Sequence, residues 1–168
     1  MNILLTGRPG CGKSTLVQAL LEGLQGKRIA GIITPEIRNQ GRTGFKIRDL
    51  ASREEEILAS VHIKTQPRVG KYGINLQGID KIVDAFLLSF ATAEYIFLDE
   101  IGKMELFSAK FREVCQKILA SNKLVVAVVH RNLVDQYKGK GEVIWVEREK
   151  MQEIKSYLFH ILAKAKET

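Results

Sequence analysis

Gly7-Arg8-Pro9-Gly10-Cys11-Gly12-Lys13-Ser14 satisfies the pattern G-x-x-x-x-G-K-[ST] at every fixed position, and Thr15 follows it. The flanks agree with the pattern's mechanism. Asn2 to Thr6 is a short apolar run that reads as a buried strand. From Ser14 to Gln25 the residues Leu16, Val17, Leu20, Leu21 and Leu24 recur at helical spacing, and Gly26 is placed to stop that helix. The glycines let consecutive backbone N–H groups turn toward a phosphate with no Cβ in the way. The helix that starts there adds unpaired N–H groups and the positive end of its dipole. In such a loop Lys13 bridges β- and γ-phosphates, the Ser14 hydroxyl binds Mg2+, and Thr15 supports the α-phosphate. Arg8, Pro9 and Cys11 fill variable positions, so the Cys11 thiol reads as a tolerated small side chain rather than a reactive group.

Outward from the loop, apolar strands alternate with amphipathic helices. Ile29 to Thr34 and Thr43 to Leu50 are strand-like and joined through Asn39-Gln40-Gly41-Arg42, which predicts a hairpin. Residues 51–78 are mixed, with Gly70, Gly73 and Gly78 breaking the pattern. A helical stripe follows from Ile79 to Phe90, then an apolar run from Tyr95 to Leu98. Phe107, Phe111, Val114, Cys115, Ile118 and Leu119 mark the face of a further helix. Leu124 to Val129 is the most hydrophobic strand candidate, and Val143 to Val146 is another. The last helix is expected from about Arg148 to Lys166, with Met151, Ile154, Tyr157, Leu158, Ile161 and Leu162 aligned. Uninterrupted strands buried on both faces predict an α/β fold with a mostly parallel sheet flanked by helices. The β-hairpin extension near 29–50 is the expected local departure. One domain spanning 1–168 suffices for this length.

The run Ile96-Phe97-Leu98 ends in Asp99-Glu100. Beside a phosphate loop, the acid at such a strand end holds Mg2+, which assigns Asp99. A second acid directly after it has a different job: Glu100 orients and deprotonates an attacking water, a service worth about 10²–10⁴-fold. That acid pair is the habit of P-loop ATPases with an extra strand between the loop strand and the Asp strand. Leu124 to Val129 is the natural candidate for the inserted strand. Its terminal His130 and Arg131 would then face the γ-phosphate edge, as phosphate sensors or as a polar strand end meeting solvent. Cys115, on an apolar helical face, reads as core.

Composition narrows the function classes. Of the 168 residues, 45% are apolar and 27% charged, which excludes disordered, collagen-like and fibrous chains. No apolar run approaches the ~18 residues of a membrane span, so no membrane role is expected. The first residues lack the pattern of a signal peptide, and two distant cysteines make neither a disulfide scaffold nor a zinc site. A reduced, cytoplasmic protein is the default expectation. Lys and Arg number 26 against 19 Asp and Glu, a net charge of +7 that favours polyanionic partners. Nucleic acid is permitted by that charge but not favoured, because the basic residues are scattered and no RNA-recognition or helix-turn-helix pattern accompanies them. Arg38, Arg42, Lys46 and Arg48 in the hairpin region could flank a triphosphate. For Lys46 solvated surface charge is the preferred reading. Tyr72, Phe107 and Trp145 are candidates to stack on a base, with packing the commoner use of such residues.

Several stretches together resemble one family. They are Gly7 to Thr15, Thr34-Pro35-Glu36-Ile37-Arg38, Gly41-Arg42-Thr43-Gly44-Phe45, Arg68-Val69-Gly70-Lys71-Tyr72 and Asp99-Glu100-Ile101-Gly102-Lys103-Met104-Glu105-Leu106-Phe107. The chain is similar over nearly its whole length to the small P-loop nucleoside-triphosphatases of thermophilic archaea and bacteria, whose human member is called cancer-related nucleoside-triphosphatase. The resemblance implies a RecA-like fold and Mg2+-dependent hydrolysis of NTP to NDP and phosphate, with loose base selectivity. Its nucleotide-binding segments fall on Gly7 through Thr15 and on Asp99, Glu100, Ile101 and Gly102. No Asn/Thr-Lys-x-Asp guanine-recognition motif is present, which agrees with loose selectivity. The rival readings are a nucleotide or small-molecule kinase, which needs a second pocket and an arginine-rich lid, and a nucleic-acid-dependent ATPase. A monomer is preferred over an oligomer.

Overall fold

The computed structural model describes residues 1–165. In chain order the elements are β1 (Asn2–Thr6), α1 (Lys13–Gly23), β2 (Ile29–Ile33), β3 (Glu36–Arg38), β4 (Arg42–Asp49), β5 (Glu55–Ser60), β6 (Arg68–Val69) and β7 (Tyr72–Ile74). There follow α2 (Leu76–Phe90), β8 (Tyr95–Ile101), α3 (Ala109–Leu119), β9 (Leu124–Val129), the short α4 (Val134–Tyr137), β10 (Glu142–Trp145) and α5 (Met151–Lys164). Single 3-10 turns lie at Glu105–Phe107, Lys138–Lys140 and Arg148–Lys150.

One mixed sheet carries the strands in the order β10-β1-β9-β8-β2-β4-β5-β7-β6, with β3 paired to β4. From β10 to β2 every pairing is parallel. Beyond β2 every pairing is antiparallel. As the double acid predicts, β9 is inserted between β1 and β8, and all six of its residues are buried. Side chains alternate between the two faces with the period of an extended chain. Leu4, Ile96, Leu98, Val125 and Ala127 join Phe86 and Phe111 from α2 and α3 in one core. Leu5, Phe97, Val126 and Val128 join Leu16 and Leu20 of α1 and Leu158 of α5 in the other. Burying each such aliphatic side chain stabilises the fold by about 1.5–3 kcal/mol, which is why these strands need no alternation in sequence.

The antiparallel part is larger than a hairpin near 29–50. β2 belongs to the parallel group through β8, and the hairpin itself is β3–β4, closed where Asn39 N–H donates to the Gly41 carbonyl at 2.8 Å. The mixed residues 51–78 then supply β5, β6 and β7 and extend the sheet by three more strands.

Capping moves several helix ends. Asn75 Oδ1 accepts from Gly78 N–H at 3.2 Å, so α2 starts at Leu76 rather than Ile79. Ser108 Oγ accepts from Phe111 N–H at 3.1 Å and caps α3, which leaves Phe107 outside that helix and exposed rather than on its buried stripe. α1 ends at Gly23, before the expected Gln25. α5 begins at Met151, three residues after the expected start, and Lys166 lies outside the described residues. Tyr157 is turned away from the buried stripe of α5 and donates to Glu142 Oε1 at 2.7 Å. Among the described residues no helix is long and apolar enough to cross a membrane.

Candidate nucleotide site

β1 delivers the chain to the phosphate loop at its C-terminal end. Gly12 sits at the N-cap of α1 with φ +101°, a left-handed conformation open to glycine and strained for other residues. The first turn of α1 holds no acidic residue and no side chain caps it, so its N–H groups and positive dipole end stay available to an anion. Lys13 Nζ donates to the carbonyls of Gly7 and Arg8 at 2.7 and 3.1 Å. A triphosphate entering the loop would offer that ammonium stronger, charged acceptors.

The segment leading into α5 holds the loop from behind. Val146 N–H donates to the Thr6 carbonyl at 2.8 Å, and Arg148 donates from Nε and Nη2 to the Gly10 carbonyl at 3.1 and 2.6 Å. A cavity of about 900 Å3 opens over the loop. Gly7, Pro9, Gly10, Gly12, Lys13, Ser14, Thr15, Asp99 and Glu100 line it, together with His130 and Arg131. Arg8, Cys11, Ile101 and Gly102 belong to the same segments but do not reach the lining.

Asp99 and Glu100 are the last acids of β8. The pairing of β8 with β9 shifts register between Asp99 and Ile101, and this bulge lets neighbouring side chains line one cavity instead of opposite faces. The Asp99–Glu100 peptide is cis. Thr34 fixes the strand end from β2's side, donating from N–H and Oγ1 to the Asp99 carbonyl at 2.8 and 2.9 Å. Burial raises the Asp99 carboxyl above its ordinary range, opposed by a hydrogen bond with Ser14 and by the charge of Lys13. Burial, reinforced by Asp99, pushes Glu100 up to about 7, again opposed by Lys13.

Glu105, a residue that no spacing rule singles out as a site, lines the same cavity. It is buried and pushed up to about 8, first by burial and then by the charge of Glu100. Its sequence signal is its place in the Asp99 to Phe107 stretch that carries the family resemblance, five residues past Glu100, which assigns it no role. Burial lowers His130, as do the charges of Lys13 and Arg131. Cys115 is buried, and its thiol is pushed up by that burial, in keeping with a core role.

The antiparallel extension forms the facing wall. Arg42 donates from Nε to Tyr72 Oη at 3.1 Å and from Nη1 to Glu36 at 3.2 Å, and it lies 5.4 Å from the centroid of Phe45. Arg42, Phe45, Glu36 and Val69 reach the cavity, while Arg38 pairs with Glu36 away from it. Lys46 and Arg48 pair with Glu55 on the sheet surface, so they do not flank the phosphate loop. Tyr72 is buried against Phe45, and neither Phe107 nor Trp145 lines the cavity. Among the described residues no group of three His, Cys, Asp or Glu side chains could hold a metal by itself.

Comparison with known proteins places this geometry. The profile of a family described as NTPase matches residues 2–159. The nucleoside-triphosphatase THEP1 of Methanothermobacter thermautotrophicus is 42% identical over 147 residues, covering 85% of this chain and 84% of that protein. The protein of the same name from Thermotoga maritima is 43% identical over 152 residues, covering 88% and 86%. The crystal structure of THEP1 from the hyperthermophile Aquifex aeolicus superposes with a TM-score of 0.83 at 34% identity, over 96% of this chain and 99% of that one. A phosphate loop on β1, an inserted β9 and a double acid on β8 therefore belong to a chain that is a member of the P-loop NTPase family.

Proposed function

We propose that this protein hydrolyses nucleoside triphosphates to the diphosphate and phosphate, with Mg2+ and with loose base selectivity. The observation that carries the reading is Glu100, a carboxyl group in the cavity beside the phosphate loop, where Asp99 is the neighbouring acid and Lys13 the opposing cation. The continuous sheet supports reading the chain as one P-loop domain, and a monomer acting in the cytoplasm is part of the same proposal.

The loop N–H groups from Gly7 to Thr15 receive the phosphate oxygens, and Lys13 exchanges its carbonyl acceptors for the β- and γ-phosphates. Ser14 and Asp99 would hold Mg2+. They fit it, because a hydroxyl and a recessed carboxyl group already meet there, and Asp99 has no ion-pair partner within 4 Å among the described residues. Hard oxygen donors, completed by phosphate and water, are what that ion takes. Bound there, Mg2+ supplies charge neutralisation at the β- and γ-phosphates. Glu100 orients the attacking water and takes its proton as the bond to the γ-phosphorus forms and the bond to the β–γ bridging oxygen breaks, releasing the diphosphate. His130 and Arg131 stand at the end of β9, between the loop and Asp99, where they meet the charge that the reaction redistributes.

The test is phosphate release from each Mg·NTP by purified protein, without and with phosphate acceptors and single-stranded nucleic acid. Release without an acceptor is expected, and its absence ends the reading. Glu100→Gln should keep nucleotide affinity and lose about 10²–10⁴-fold in kcat. Lys13→Ala should weaken binding and turnover together.

A further inference from the structure

Glu105 is a charged-type residue only 3% exposed, placed by the 3-10 turn that follows β8. Among the described residues it makes no ion pair. Its carboxyl group accepts hydrogen bonds from the backbone N–H groups of Glu105 itself and of Gly102. These favour the charged form but are outweighed by burial and the charge of Glu100. The charges that act on it are those of Glu100 and Asp99 from β8, and the Cys115 thiol of α3 is also near. Lys13 and Lys103 line the same cavity without pairing with it. A second buried carboxylate beside Glu100 with no positive partner is costly, whereas a protonated carboxyl group there is a hydrogen-bond donor.

The space between the two acids is defined by Gly102. A Cβ at that position would stand 2.7 Å from Glu105 Oε2 and 3.0 Å from Glu100 Oε1. The missing side chain therefore lets both carboxyl groups approach the same point, over the turn that leaves β8. Glu105 is also anchored from outside the cavity. Its turn runs directly into Ser108, whose hydroxyl caps α3 and donates to Asp80 of α2 at 2.6 Å. The base of the proposed reaction sits at the end of a strand, and the residue beside it is tied to two helices.

We propose that Glu105 is a positioning residue, whose buried carboxyl group holds the Glu100 side chain in the orientation that receives the proton of the attacking water. This rests on Glu100 acting as the base. Glu105 touches no reacting atom and acts through its neighbour.

A double-mutant cycle with Glu100→Gln tests it, reading kcat and KM for Mg·NTP, nucleotide affinity and thermal melting in each variant. Glu105→Ala is expected to lower kcat by about 10-fold or more, with KM and nucleotide affinity within about 2-fold. In the Glu100→Gln background the same change should cost less than about 2-fold, because the group it orients is already gone. Glu105→Gln, which keeps the size and a donor, should restore kcat to within about 3-fold, while the shorter Glu105→Asp should not. Equal losses in both backgrounds overturn the proposal, as does a Gln variant no better than Ala. Should Glu105→Ala fail to fold, the contrast between Gln and Asp decides alone. Full turnover by Glu100→Gln overturns the base assignment and this inference with it, a failure recognised without any Glu105 variant.

Discussion

The two parts of the sheet differ in how they use their residues. From β10 to β2 the strands are parallel and, inside the half-exposed edge strand β10, largely buried, and the C-terminal ends of β1, β8 and β9 carry Lys13's loop, Asp99, Glu100 and His130. From β4 to β6 they are antiparallel; β4 and β5 are half exposed and β7 is buried, and their contacts are ion pairs and one aromatic pair as much as aliphatic packing. The parallel part is a rigid platform on which charges are aimed. The extension is a wall, which shapes the cavity and keeps a cation, Arg42, on its far side. The difference teaches that the chemistry and the enclosure have separate supports, so substitutions in the two should fail differently.

Truncation in the platform's core is the harshest test of that separation after the catalytic variants. Phe111 is fully buried beneath β8 and β9, and Phe111→Ala should lower the unfolding free energy by about 3–5 kcal/mol in denaturant titrations. Activity per folded molecule should fall with it. A variant that loses the stability and keeps the site intact would show that the platform tolerates slack.

Glu105 belongs to the platform, in the turn that follows β8. Its carboxyl is held up to about 8 against an ordinary 4.5, so the folded protein binds that proton more tightly than the unfolded chain. This group's contribution therefore favours folding below about 4.5 and is lost as pH rises toward about 8. Glu105→Gln removes the loss, and its melting temperature relative to the parent should rise between pH 5 and pH 8.5. A difference that stays flat with pH would show that Glu105 is ionised in the folded state.

In the wall the effects should be smaller. Tyr72→Phe deletes the acceptor of Arg42 Nε and is expected to cost about 1 kcal/mol in stability, with kcat unchanged. A fall in kcat would erase the division, because it would make the wall part of the reaction. Smallest of all is Lys46→Ala, which removes an exposed partner of Glu55 and should leave melting temperature and activity where they were.

The same contrast governs what the amino-acid sequence discloses on its own. Continuous apolar runs such as Leu124–Val129, and a loop pattern whose glycines have a stated mechanism, announce the platform and its phosphate chemistry directly. Even the insertion of β9 beside β1 follows from the pair Asp99-Glu100. β5 does not announce itself: Glu55-Glu56-Ile57-Leu58-Ala59-Ser60 has two acids at its start and only Leu58 and Ala59 buried. β6 and β7 are two and three residues long, too short for any periodicity. Arg42 meets Tyr72 across strands 30 positions apart, a contact that pairing creates and composition cannot. Glu105 is hidden for a related reason. A glutamate in a turn reads as solvated until the turn is folded against the core, with Met104 and Leu106 packed there and Gly102 beside it.

The hydrogen bonds from Arg148 to the Gly10 carbonyl join residues 138 positions apart. With Val146 bound to Thr6, they make the entrance of the last helix a backing plate for the first loop. A nucleotide that shifted Gly10 would pull on the turn that enters α5 through these bonds. A fusion or shortening at that helix would alter the binding site from the opposite end of the chain, while amide exchange in the first turn of α5 should slow when a triphosphate is bound. Protection at the last helix would then report what happens at the first loop.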